Sequence, residues 1–210
     1  MSNDGEFPTL LAFNVKDAFV GDKFEEALGW LPIEEHASIR RFKWAKDRHL
    51  ALGSYLLRRY FFSQQLGIPW HEVAFRRLAG GKPVVASVFV KVREDEQWID
   101  YNTSHEGDWV AFTATVQPAL HVGIDVVCLD PPANESVDEF IKSFQAQLTD
   151  EEKRLLTDHP GHKLQIFYEL WGCKESYVKA VGVGLSLGLN RIGFQNAADV
   201  GTAGAGIGAN

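Results

Sequence analysis

Between Pro32 and Leu66, apolar residues recur at Ile39, Phe42, Ala45, Leu52, Leu56 and Tyr60, the spacing of one helix face. Gly67 and Pro69 then supply a stop, so the stretch predicts one long helix or two in succession. RRLAGGKPVV reads as a turn, because Gly80 and Gly81 let the backbone bend and Pro83 blocks a helix. Val84 to Val92 is a candidate strand. YNTSHEGD, residues 101 to 108, is polar and reads as turn-rich, and it leads into a strand over WVAFTATV, Trp109 to Val116. Past Pro118, alternation in HVGIDVVCL (121–129) predicts a strand with Val122, Ile124 and Val126 on one face and Gly123, Asp125 and Val127 on the other.

PPAN breaks the chain, and SVDEFIKSF predicts a helix capped by Asn134 or Ser136. Thr149 followed by Glu152 is a capping box that opens a second, short helix. His162 to Val181 is a third, with Leu164, Phe167, Trp171 and Val178 on its apolar side and Gly182 at its end. QNAADVGTAGAGIGAN, after Phe194, is rich in glycine and alanine and is expected to be unpacked. The pattern divides the chain into an N-terminal half (1–116), a C-terminal half (117–194) and a tail (195–210). The order of elements makes the fold class α/β (α+β).

At 210 residues, 45% of them hydrophobic, the chain is long enough for one large folded domain or two compact ones. No signal peptide is read at the polar, acidic N-terminus, and no run approaches the ~18 apolar residues of a membrane span. The two cysteines, Cys128 and Cys173, are too few for a disulfide framework or a zinc site, and a cytoplasmic location is expected. Net charge is -7, yet residues 38–82 carry ten Lys or Arg against two acids. Nucleic-acid binding is not expected of so acidic a chain, but its basic segment suits a small polyanion or an acidic partner. A solvated helix face explains that segment equally well.

Singly, the chemical candidates are weak. Asp125 interrupts an apolar strand, and a buried carboxylate needs a partner, of which a metal ion is a common one. His105 after Ser104 suits a turn, and GGKP lacks the spacing of a P-loop. Glu175 and Lys179 stand four apart on the last predicted helix, the spacing of an ordinary surface ion pair worth ~0.3 to 0.5 kcal/mol.

In order, however, GGKP, NTSHEGDW, GIDV (123–126) and WGCKESYVKAVGVGL (171–185) resemble the 4'-phosphopantetheinyl transferases. The match is to their larger, monomeric class, which includes the surfactin-type and the eukaryotic aminoadipate-semialdehyde dehydrogenase-modifying enzymes, and it runs from about Ile33 to Phe194. The resemblance implies two similar α/β halves related by a pseudo-twofold, with coenzyme A in the cleft between them. It implies transfer of the phosphopantetheine arm to a serine of an apo acyl or peptidyl carrier protein, release of 3',5'-ADP, and a requirement for Mg2+. Asp125 and Glu175 match the metal-binding carboxylates, and Glu175 and Lys179 the residues that take the serine proton and neutralise the departing phosphate.

Val127 departs from the acid that many members carry two residues after the strand Asp; Glu106 or water is the candidate third ligand. For coenzyme A the resemblance offers Arg40 or Arg41, Arg77, Lys82, Asn102, Ser104 and His105. Lys43, Lys46 and Arg48 are candidates for docking the acidic carrier. Members also continue beyond the region matching Phe194, which together with Val127 motivates one alternative: a silent homologue that binds coenzyme A or a carrier without transfer. A Mg2+-dependent phosphohydrolase using the same carboxylates is the other.

Overall fold

The computed structural model describes residues 8–77, 82–86, 99–117, 120–182 and 188–194. Thr9–Asn14 (β1), Asp100–Glu106 (β4) and Trp109–Thr115 (β5) form an antiparallel sheet in the order β1-β5-β4. Phe75–Arg77 (β2) and Pro83–Val85 (β3) form a separate antiparallel pair. The helices are Lys23–Gly29 (α1), Ile33–Arg40 (α2), Ala45–Leu66 (α3), Val137–Ser143 (α4), Asp150–Asp158 (α5) and Lys163–Val181 (α6). Helix and sheet thus mix as expected, and among the described residues no strand follows β5.

The stretch 32–66 is two helices, broken at 41–44, where Arg48 donates to the carbonyls of Phe42 and Lys43. α3 ends at Gly67 and α6 at Gly182, both at positive φ (62° and 70°), a left-handed conformation that glycine adopts without the clash a Cβ would bring. α3 lies on the sheet. There Phe61, Phe62, Tyr101 and Phe112 pack edge to face or stacked in one core, and Val15, Leu28, Ile39, Leu50, Leu52 and Val110 form another.

A third core joins the last three helices through Ile141, Leu148, Leu156, Ile166, Phe167 and Leu170. The caps fall where the sequence puts them. Ser136 caps α4 and Thr149 caps α5, each in a reciprocal capping box with Glu139 or Glu152.

Two expectations are overturned. YNTSHEGD is not a turn: its first six residues belong to β4, and only Gly107 and Asp108 turn the chain into β5. HVGIDVVCL is not a ladder strand. It runs unpaired beside β4 and is held by side chains instead, Asp100 Oδ2 accepting from Val122 N (2.9 Å) and Asn102 Oδ1 from Ile124 N (3.3 Å). Ser104 Oγ completes the row by donating to Asp125 Oδ1 at 3.0 Å. Asp100, Asn102 and Ser104 lie two apart and so share a face of β4; the polar residues that looked like turn chemistry stand in for a neighbouring strand. Of the strand expected over 84–92, β3 covers the start, and residues 87–92 lie outside the described residues, as do Gly80, Gly81 and the tail from 195.

Candidate functional site

Gly123 brings the two walls of the site together. A Cβ placed on it would stand 1.9 Å from Ser176 O and 2.6 Å from Ala180 N, so the segment lies directly on the α6 backbone. That contact sets Asp125 opposite Lys179. Lys179 Nζ donates to Asp125 Oδ1 at 2.5 Å and to Ser104 Oγ at 3.0 Å, closing a triangle between β4, the 120s segment and α6. The Asp125 side chain is 12% exposed and that of Lys179 29%, so water screens the pair only in part.

The Glu175–Lys179 pair that helical spacing allows does not form: among the described residues, the ion pair of Lys179 is with Asp125. Asp125, Glu175 and Glu106 nevertheless line one open cleft of about 680 Å³ with Ser104, His105, Lys179 and Cys128. Burial, with the Glu106 and Asp130 carboxyls beside it, pushes the Cys128 thiol up, so that it is neutral at ordinary pH. Val127 also reaches the cleft, its Cγ2 lying 3.2 Å from the point where a Cβ on Gly172 would stand. The position that could have carried a further acid is therefore an apolar contact with α6.

The remaining sequence candidates are not gathered there. Arg40 is tied to Glu25 on α1 and Arg41 lies over the Phe42 ring. Arg77, on β2, is exposed and does not line the cleft. Lys82 is paired with Asp100, and Asn102 spends its carbonyl oxygen on Ile124 N, which makes it a brace for the segment. Of the carrier-docking candidates, Lys46, in the first turn of α3, comes to this side, at 3.3 Å from Asp108 in the turn that follows Glu106.

Sequence reasoning also missed Lys174, inside the KES motif. Fully buried, it pairs with Glu152 at 2.8 Å and donates to Leu189 O and Ile192 O. Its neighbour Glu175 faces the cleft, and only the rotation of α6 separates the two roles.

A model described as 4'-phosphopantetheinyl transferase, N-terminal, matches residues 20–117, and one described as 4'-phosphopantetheinyl transferase superfamily matches residues 121–205. The chain belongs to the 4'-phosphopantetheinyl transferase family. Among relatives, the L-aminoadipate-semialdehyde dehydrogenase-phosphopantetheinyl transferase of Xenopus laevis is 32% identical over 164 residues, 77% of this chain and 53% of that protein. Its Homo sapiens counterpart is 33% identical over 163 residues, 77% and 51% of the two chains. The phosphopantetheinyl transferase of Thraustochytrium sp. is 33% identical over 171 residues, 78% and 57%. The chain spans about half the length of the curated relatives it matches. Both halves of the cleft, β4 with its turn and the GIDV segment with α6, fall within the two transferase matches.

Proposed function

We propose that this chain transfers the 4'-phosphopantetheine arm of coenzyme A to a serine hydroxyl of an acyl or peptidyl carrier domain. The observation that carries this reading is the convergence of Asp125, Glu175, Glu106, Ser104, His105 and Lys179 on one cleft in a chain of this family. In the reaction, the serine oxygen bonds to the phosphorus that carries the pantetheine arm. The bond from that phosphorus to the 3',5'-ADP oxygen breaks, and the hydroxyl proton passes to Glu175. Lys179 supplies positive charge where the leaving phosphate gathers negative charge. Ser104 and His105, at the end of β4, orient coenzyme A, and the cleft walls hold the reactants in line.

The donor set fits Mg2+. That ion is held by one or two carboxylates plus substrate phosphates, without a closed protein cage. Asp125 and Glu175 would hold it, and Glu106, on the same cleft, would have to move toward them to serve as third ligand, because among the described residues no three such groups gather closely enough to hold a metal ion; both described bonds of Asp125 fall on Oδ1. When bound, the ion neutralises charge on the pyrophosphate oxygens.

The test incubates apo carrier domains from fatty-acid and peptide synthesis with coenzyme A and Mg2+ and weighs the carriers by mass spectrometry. The mass of the added arm is expected. Glu175→Gln is expected to lower the rate by about 10²- to 10⁴-fold, the usual worth of a general base, with an unchanged circular dichroism spectrum. Glu106→Ala is expected to raise the Mg2+ concentration needed for half-maximal rate. Coenzyme A bound with no mass added would favour the silent alternative, and 3',5'-ADP released without a carrier would favour hydrolysis.

A further inference from the structure

At the far end of the segment from Asp125, the Asp100 carboxylate is 2% exposed at the start of β4. Its Oδ2 accepts from Lys82 Nζ at 2.7 Å and from Val122 N at 2.9 Å, with His121 Nδ1 3.5 Å away, and its Oδ1 accepts from Tyr101 N at 3.0 Å. Lys82 Nζ also donates to Ala180 O at 2.9 Å, the residue after Lys179. The aliphatic stem of Lys82 lies 3.5 Å from where a Cβ on Gly182 would stand. One nearly dry ion pair therefore joins β3, β4, the start of the 120s segment and the last turn of α6. A cation on the last carbonyls of a helix satisfies an acceptor that has no intrahelical donor and complements the helix dipole.

We propose that Asp100 and Lys82 are positioning residues for the transfer. Their ion pair fixes the last turn of α6 against the 122–125 segment, so that Lys179 meets Asp125, and Lys82 is committed to this contact instead of to a coenzyme A phosphate. The proposal rests on the transferase reading. Two features separate it from a phosphate-binding role. Lys82 and Asp100 do not line the cleft, and the side chain of Lys82 is only 12% exposed. Its two described bonds also go to the carboxylate and the α6 carbonyl, both of which would have to be given up to reach a ligand.

The experiment compares Lys82→Met, Asp100→Asn and the double variant, with near-ultraviolet circular dichroism to establish folding. Coenzyme A affinity is measured by calorimetry, kcat and KM by the mass assay, and exchange of the α6 end by hydrogen–deuterium exchange of a 176–182 peptide. Misplacement of Lys179 by about 1 Å is expected to lower kcat by about 10- to 100-fold in either single variant, with coenzyme A affinity within about twofold of the parent. The double variant is expected to be no worse than the singles, because both remove one interaction. Exchange at 176–182 is expected to quicken in all three, and Lys82→Arg to restore part of kcat.

Weakened coenzyme A binding in Lys82→Met, with Asp100→Asn unaffected, would overturn the proposal in favour of phosphate contact. If the parent protein transfers nothing, the function reading fails, and the exchange data alone decide this one: unchanged exchange in Asp100→Asn sinks it, and quickened exchange sustains the clamp.

Discussion

Gly123 is where one hydrogen atom in place of a side chain decides the site. A methyl group there would overlap the Ser176 carbonyl oxygen, and the atoms it meets are backbone, which cannot rotate away. Gly123→Ala is expected to push the 120s segment off α6 and to destabilise the fold by about 1 to 3 kcal/mol or more, the range for overpacking a tight contact. Urea unfolding measures the loss. The same variant should break the Lys179–Asp125 contact and with it the transfer. Alternation along the chain assigns Gly123 and Asp125 correctly to one face, but it cannot say that a helix backbone occupies the other side of that face. Likewise, a helical spacing of four makes Glu175 and Lys179 neighbours; Asp125, more than fifty residues earlier, wins Lys179 because the close approach puts it at 2.5 Å.

Elements of this protein are tied by buried charge as well as by apolar packing. α5 and α6 meet at Glu152 and Lys174, both essentially inaccessible to water. Glu152 serves three groups: it accepts from Thr149 N at the start of α5 and from Phe194 N, and it pairs with Lys174. A buried pair adds little over an apolar pair, but removing one member strands the other charge. Lys174→Met is therefore expected to cost about 3 to 5 kcal/mol, and Lys174→Met with Glu152→Leu distinctly less than the sum of the two single changes. Denaturant midpoints of the four proteins form the double-mutant cycle that measures this. The capping box at Thr149 and Glu152 was legible because it is local, three residues apart. The partnership of the same Glu152 with Lys174 was not, because nothing within one turn of either residue signals it. β4 was lost to sequence reading for the converse reason: its polar residues match turn statistics, and their true partners lie about twenty residues onward.

Over the whole molecule, the basic segment 38–82 is largely occupied by the fold itself. Arg59 is buried against Glu35 and the Trp70 and Val73 carbonyls, Arg58 is stacked on Tyr55 and Phe75, and Arg40, Arg48 and Lys82 each have internal partners. Much of the local excess of ten bases over two acids is thus engaged within the fold, and Lys46, beside Asp108, stands near the cleft.

Global stability also carries a pH signature from this region. His49, packed between Phe19 and Phe24, has its pKa lowered from 6.5 by burial and by the Arg48 guanidinium beside it. The unfolded chain then holds more protons than the folded one just below pH 6.5. The His49 contribution to stability is expected to be full above that value and to decline as pH falls below it. Urea midpoints of the parent and of His49→Gln, taken at about pH 7.5 and about pH 5.5, should show a larger acid loss in the parent. Equal losses would remove His49 as the cause.

The sequence by itself determined the helices after Pro32, apart from the break at 41–44, with their caps and stops, and the β5 strand, because each depends on residues within a turn or two of one another. Its ordered motifs also determined the family, since covalent order survives whatever the chain does in space. Tertiary structure alone decided that Asp125 meets Lys179, that Lys82 donates to a carbonyl at the end of α6, and that Lys174 is buried while Glu175 reaches the cleft. Those outcomes turn on which distant groups come within about 3 Å, the range of a hydrogen bond, and only the packed backbone at Gly123 and the side-chain row of β4 fix that distance.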